Sequence, residues 1–196
     1  MRVALALVML AGPGWAEPWI DYDLLFQQNA DKVIVTTDAS GEVTRSLDLG
    51  DGVTVFCSDQ GCAGMDQKGA VGCAWSIYSS LLAVAEVCGI PKEQTVRTTD
   101  YHRLLTAFVA RNAVPPRSVA EIEGFHQSQI DQYRNGVEDE PLDCAEVMAP
   151  DSDVMMMLEA IETDLASAAA EDEEDEAFDI DAFLATPRLP VMNPCL

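Results

Sequence analysis

The side chains that could carry chemistry are six cysteines and two histidines, and the first three cysteines lie close together. Cys57, Cys62 and Cys73 fall within seventeen positions, and Cys88, Cys144 and Cys195 follow at wider intervals. His102 and His126 are the two histidines of the sequence. These residues could supply a nucleophilic thiol, a thiolate metal site or a set of disulfides.

For a nucleophile the candidate is Cys73. It opens an apolar run that reads as helix, and a helix N-terminus lowers a thiol pKa. Gln67 precedes it and could donate to an oxyanion, while His126 or His102 would act as base. Over about ten residues this Gln67–Cys73–helix arrangement resembles the Cys-helix start of papain-type thiol proteases. The resemblance implies a small secreted thiol hydrolase, with Cys73 as nucleophile and Gln67 beside it. Trp75 stands one place late for that family's Cys-Trp pair. A free Cys73 would also leave five other cysteines, an odd number.

Zinc sites draw their ligands as close pairs. Cys57 and Cys62 are near enough, but no second pair follows, and the chain has no Cys-x-x-Cys or His-x-x-x-His. The same absence removes c-type haem attachment and the thioredoxin-type motif. Met155, Met156 and Met157, with Met148 nearby, are soft thioethers, but consecutive helical residues point about 100° apart and do not converge on one ion. They read as adaptable packing surface. No cofactor and no metal are expected.

Disulfides are the favoured reading, because six is even and the compartment is oxidising. The N-terminus reads as a signal peptide over residues 1–16: Arg2, an apolar run, Gly12-Pro13-Gly14, then the small-residue exit Gly14-Trp15-Ala16. That run is shorter than the roughly 20 residues of a membrane span, and no later stretch is read as one. The protein is expected to be exported, to a bacterial periplasm or the exterior. Cys88 ends one helix and Cys144 follows the last long one, so they are expected to pair around the helical region. Cys57, Cys62, Cys73 and Cys195 then form two further bridges whose pairing stays open.

The chain has 34 acidic against 11 basic residues. Such a balance disfavours nucleic acid and anionic membranes. It suits a cationic protein or surface, or weak divalent-cation binding by the tail. The charge is uneven. Residues 97–134 hold five arginines, while 138–181 hold 18 acids and no Lys or Arg.

The elements that must position these residues follow from periodicity. "KVIVTT", "EVTRSLDL" and "VTVFC" are short strands with glycine-containing turns, a hairpin or meander over 32–57. Residues 58–69 read as a loop. Residues 70–88 are apolar nearly all round, the mark of a buried helix, stopped by Gly89 and Pro91. Further helices are expected at about 100–112 and 118–134, the latter opened by the Ser118–Glu121 capping box. A weaker helix starts near Ser152 and fades into low-complexity 171–181.

The reading is therefore α+β: a short N-terminal antiparallel β element, a disulfide-braced bundle of three to four helices, and an acidic, partly disordered tail. One globular domain is expected over 17–147, with 148–196 outside it. The function expected is a non-enzymatic binding module, with the thiol hydrolase as alternative.

Overall fold

A computed structural model of the protein describes residues 17–136, 141–163 and 178–195. The expected signal segment, 1–16, and residues 164–177 of the acidic stretch lie outside the described residues.

The fold is α+β. Its elements run α1 (Tyr22–Gln28), β1 (Ile34–Thr37), β2 (Val43–Gly50), β3 (Val53–Ser58), β4 (Gly61–Asp66), α2 (Val71–Cys88), α3 (Val96–Asn112), α4 (Val119–Asn135), α5 (Cys144–Val147), α6 (Asp153–Thr163) and α7 (Ile180–Leu184). The strands form one antiparallel sheet in the order β1-β2-β3-β4.

Strand alternation gives the sheet one buried face. Leu47, Val53, Val55 and Cys57 point inward and are buried, while Ile34, Phe56 and Met65 stand exposed on the other side. The buried face meets α1, the first half of α2, and the inner residues of α3 and α4, with Trp75, Leu105, Phe108 and Ile122 at the centre. A second, smaller apolar cluster joins the other half of α2 to α5 and α6 through Leu81, Val84, Val147, Val154 and Leu158.

The stretch 58–69, read from sequence as a loop, contains β4. Gly-Cys-Ala-Gly-Met-Asp carries no β-branched residue, so propensity hides the strand. Its glycine has a packing reason. A Cβ on Gly64 would stand 2.1 Å from Val191 Cγ1, so only glycine lets the C-terminal segment lie against β4. Gly72, in the first turn of α2, is crowded in the same way, with Pro190 O at 2.6 Å and Val191 O at 2.7 Å from an added Cβ.

That C-terminal segment is the main departure from expectation. Packing does not stop at residue 147. Residues 187–195 run back across the sheet edge as a strap. Val191 and Leu189 enter the main core, Met65 pairs in parallel with Asn193, and the Asp66 amide donates to Asn193 O at 2.8 Å. The Gly72 amide donates to Val191 O at 2.9 Å, and Trp19 Nε1 donates to Pro190 O at 2.7 Å. Glu17 is buried as well: it accepts from the Met192 amide at 3.1 Å and from the Tyr22 hydroxyl. Burial, with Glu17 beside it, holds the Tyr22 phenol far above its usual range.

The long helices stand near their expected places. α3 begins at Val96, earlier than residue 100, and the reason is tertiary. Glu162 of α6 accepts from the backbone amides of Arg97 at 3.0 Å and Thr98 at 2.9 Å, doing from a distance what a local cap would do. Burial raises the Glu162 pKa, but these hydrogen bonds outweigh it and hold the carboxyl below its usual range. α2 has the length and mean hydropathy of a membrane span, which the sequence reading attributed to no stretch after the N-terminus. Here it is the central helix of the helical layer, with Val71, Trp75, Ser79, Leu81 and Val84 among its buried residues, packed against α3 and α4 and closed by Gly89 at φ 70°.

Candidate functional site

Each cysteine is bonded, and each bridge fastens a different part of the fold. Cys57 and Cys62 are opposite residues of the β3–β4 hairpin, with Cα atoms 4.0 Å apart. Cys73, in the first turn of α2, holds Cys195 of the strap, Cα atoms 5.3 Å apart. Cys88 ends α2 and holds Cys144 at the start of α5, Cα atoms 5.1 Å apart. Disulfides of this kind suit an oxidising compartment.

The bonding of Cys73 removes the thiolate on which the hydrolase alternative depends. A sulfur already joined to Cys195, in a residue 3 % exposed, has no lone thiolate to attack with. Gln67 lies in the turn after β4, exposed, with its amide donating to Gly52 O at 3.0 Å. The histidines are engaged elsewhere. The triad that the resemblance implied is not assembled.

The structure does assemble a different polar cluster, which the sequence reading missed. Ser79 of α2, fully buried, places its hydroxyl 2.7 Å from His126 Nδ1 of α4 and donates to Gln129 Oε1 one turn further along that helix. The two imidazoles of His126 and His102 lie 4.7 Å apart, and His102 also packs on Trp75 at 5.7 Å. Trp75 Nε1 donates to Thr106 Oγ1 at 2.9 Å, completing a polar seam through α2, α3 and α4. A signal was present in sequence: Ser79 is a polar residue in a helix otherwise apolar nearly all round, and buried polar groups find partners.

The proton count decides what this seam can do. A serine hydroxyl has one proton, and here it goes to Gln129 Oε1, an acceptor. His126 Nδ1 must then carry the hydrogen that it donates to Ser79 Oγ. In this arrangement His126 is a donor and not the base of a serine nucleophile. Burial depresses both imidazoles. His102 falls to about 4 through burial first and its neighbour His126 second. His126 is also lowered by burial, against the pull of Glu86 and Glu123 upward. His102 Nε2 is buried with no hydrogen-bond partner among the described residues. The seam is a neutral polar crosslink between helices.

A second candidate lies on the surface of α5 and α6. Met148 and Met156 are 45 % and 49 % exposed, while Val154 and Leu158 of the same region are buried. The same segment, residues 141–163, carries the exposed carboxylates of Asp143, Glu146, Asp151, Asp153 and Glu159 and no Lys or Arg, while Arg97 of α3 donates to Ile161 O at its far end, 3.3 Å away. The methionine run thus divides as helical geometry requires, with Met155 and Met157 against the smaller core and Met156 outward. No group of three or more His, Cys, Asp or Glu is placed to hold a metal ion among the described residues.

No known protein family matches the chain, and no curated protein or solved structure is significantly similar to it.

Proposed function

We propose that the chain is an exported binding module whose α5–α6 face takes a cationic, partly apolar partner segment. Residues 1–16 would direct export, to a periplasm or to the exterior, and the disulfides would hold the scaffold once there. The observation that carries the reading is that exposed Met148 and Met156 stand in a segment, 141–163, with exposed carboxylates and no Lys or Arg of its own. Methionine is a flexible, polarisable contact residue, overused on surfaces that adapt to helical ligands. A ring of one charge sign speeds encounter with the opposite sign and rejects its own.

The test is calorimetric titration of the mature protein with a lysine–leucine amphipathic peptide, with a glutamate–leucine peptide as control. The reading expects heat from the cationic peptide alone, an affinity that falls as salt rises, and a loss of about ten-fold for Met156→Ser. Equal binding of both peptides, or binding indifferent to Met156, would contradict it.

A further inference from the structure

The strand at the other end of the sheet carries an independent feature. β1 is an edge strand, and its four residues are all exposed, Ile34 and Val35 at 61 % each. Natural edges are usually blunted by shortness, charge, proline, a bulge or a covering segment. Ile-Val-Thr-Thr is short, but it holds no charge, proline or bulge, and no described segment covers it.

The hydrogen-bond alternation of β1 follows from its turn. The Asp38 amide donates to Glu42 O at 3.0 Å, and Thr36 Oγ1 reaches Thr44 O, so Asp38, Thr36 and Ile34 face β2. The N–H and C=O groups of Val33, Val35 and Thr37 therefore point away from the sheet.

We infer that this edge pairs with β1 of a second copy, antiparallel about a two-fold axis at Val35. In that register Val35 faces Val35 of the other copy and Val33 faces Thr37, so the outward groups of all three residues meet as hydrogen-bonded pairs. The same register sets Lys32 of each copy opposite Asp38 of the other, at both ends of the ladder. Lys32 and Asp38 are both exposed, and the Asp38 carboxylate is held through Oδ1 by Ser40 and Glu42. Moving the axis to Ile34 sets Lys32 against Thr36. Moving it to Thr36 sets Lys32 against Ser40 and Asp38 against Ile34. The Val35 axis is the one that matches opposite charges, and two like strands meeting at a two-fold are self-complementary by construction.

Two four-residue strands bury less than the roughly 1,200 Å² of a standard stable interface. The chain's net charge of −23 opposes association further, though it is screened beyond about 8 Å at physiological salt. The dimer is therefore weak and concentration-dependent. It rests on a different surface from the α5–α6 face and stands or falls separately.

Sedimentation velocity of the full mature chain, from roughly 1 µM to roughly 1 mM, tests it. The wild type is expected to shift from monomer to dimer over that range. Val35→Pro removes an outward N–H and no β1–β2 hydrogen bond, a placement edge strands tolerate, and is expected to stay monomeric. Lys32→Asp, a surface change that leaves folding intact, puts like charges opposite and weakens the dimer by about ten-fold. Val35→Cys, the sole free thiol in its chain, is expected to crosslink across the axis under mild oxidation, while Thr37→Cys is not. A monomer throughout the range overturns the inference. So does a dimer indifferent to Lys32→Asp and Val35→Pro, or a monomer whose edge is filled only by an added extended peptide.

Discussion

The two edges of the sheet are finished in opposite ways. At β4 the strap supplies a carbonyl to the Asp66 amide, a parallel bridge to Met65 and the buried side chain of Val191. At β1 the outward groups of Val33, Val35 and Thr37 meet no described segment. One edge is sealed by residues more than a hundred positions away, and the other is left as a template. The difference shows that the sealing is specific. It depends on two glycines that admit the strap, a disulfide that fastens its end, and a buried ion pair that anchors its start.

That ion pair is the place to break the comparison hardest. Arg188 Nε donates to Asp66 Oδ2, and its other nitrogens donate to the carbonyls of Phe183 at 2.8 Å and Gly69 at 3.2 Å. Both side chains are nearly or fully buried. Arg188→Met would leave the Asp66 charge buried without its partner, a loss of about 4 kcal/mol by urea denaturation. The double change Arg188→Met with Asp66→Leu should recover much of it, since a buried pair replaced by apolar residues is often neutral. An equal loss in both variants would mean that the pair does not act as a unit.

The bridge comes next. Cys73→Ala with Cys195→Ala frees the end of the strap and should cost about 3 kcal/mol. Cys88–Cys144 is nested inside that loop and already restrains the chain, which keeps the figure below the value for its full sequence span. Cys57→Ala with Cys62→Ala removes a bridge that closes a loop of only a few residues, and should cost less in the same assay. If the hairpin bridge proved the costlier, the strap would not be the principal restraint.

Acid sharpens the comparison by acting on neither edge. His102 is neutral in the folded protein down to about pH 4, whereas an unfolded chain protonates it near its ordinary value of 6.5. The stability it confers is therefore complete above pH 6.5 and is lost as pH falls from there to about 4. The loss is up to about 3 kcal/mol. His102→Phe should flatten that part of the pH–stability profile. An unchanged slope in the variant would place the acid sensitivity elsewhere.

The open edge should give the smallest effect. Val35→Thr keeps the β1–β2 ladder and touches no core, so unfolding should change by no more than about 0.5 kcal/mol at low concentration. A larger cost would mean that β1 is packed by something and is not an open edge.

The legible parts of this molecule are the ones written in local sequence. Ser118–Glu121 announced α4, Gly89 and Pro91 announced the end of α2, and the β-branched runs announced β1 to β3. The illegible parts were fixed from a distance. β4 is a strand because β3 and the strap pair with it, and its Gly-Ala-Met composition says nothing of that. α3 starts early because Glu162 arrives to cap it. The strap falls outside the domain expected from sequence because three prolines and an acidic stretch mask buried Arg188, Leu189 and Val191. The candidate site divides in the same way. The methionine and carboxylate composition of α5–α6 could be read directly, whereas Ser79, His126 and His102 meet only because α2, α3 and α4 pack together.

The most direct test of the unequal edges is amide hydrogen exchange read residue by residue at low protein concentration. The account predicts slow exchange at Asp66 and Gly72, whose amides are taken by the strap. It predicts an alternating pattern along β1, with Thr36 and Asp38 slower than Val35 and Thr37. Exchange at Asp66 as fast as at Val35 would contradict it, because the two edges would then be equally open.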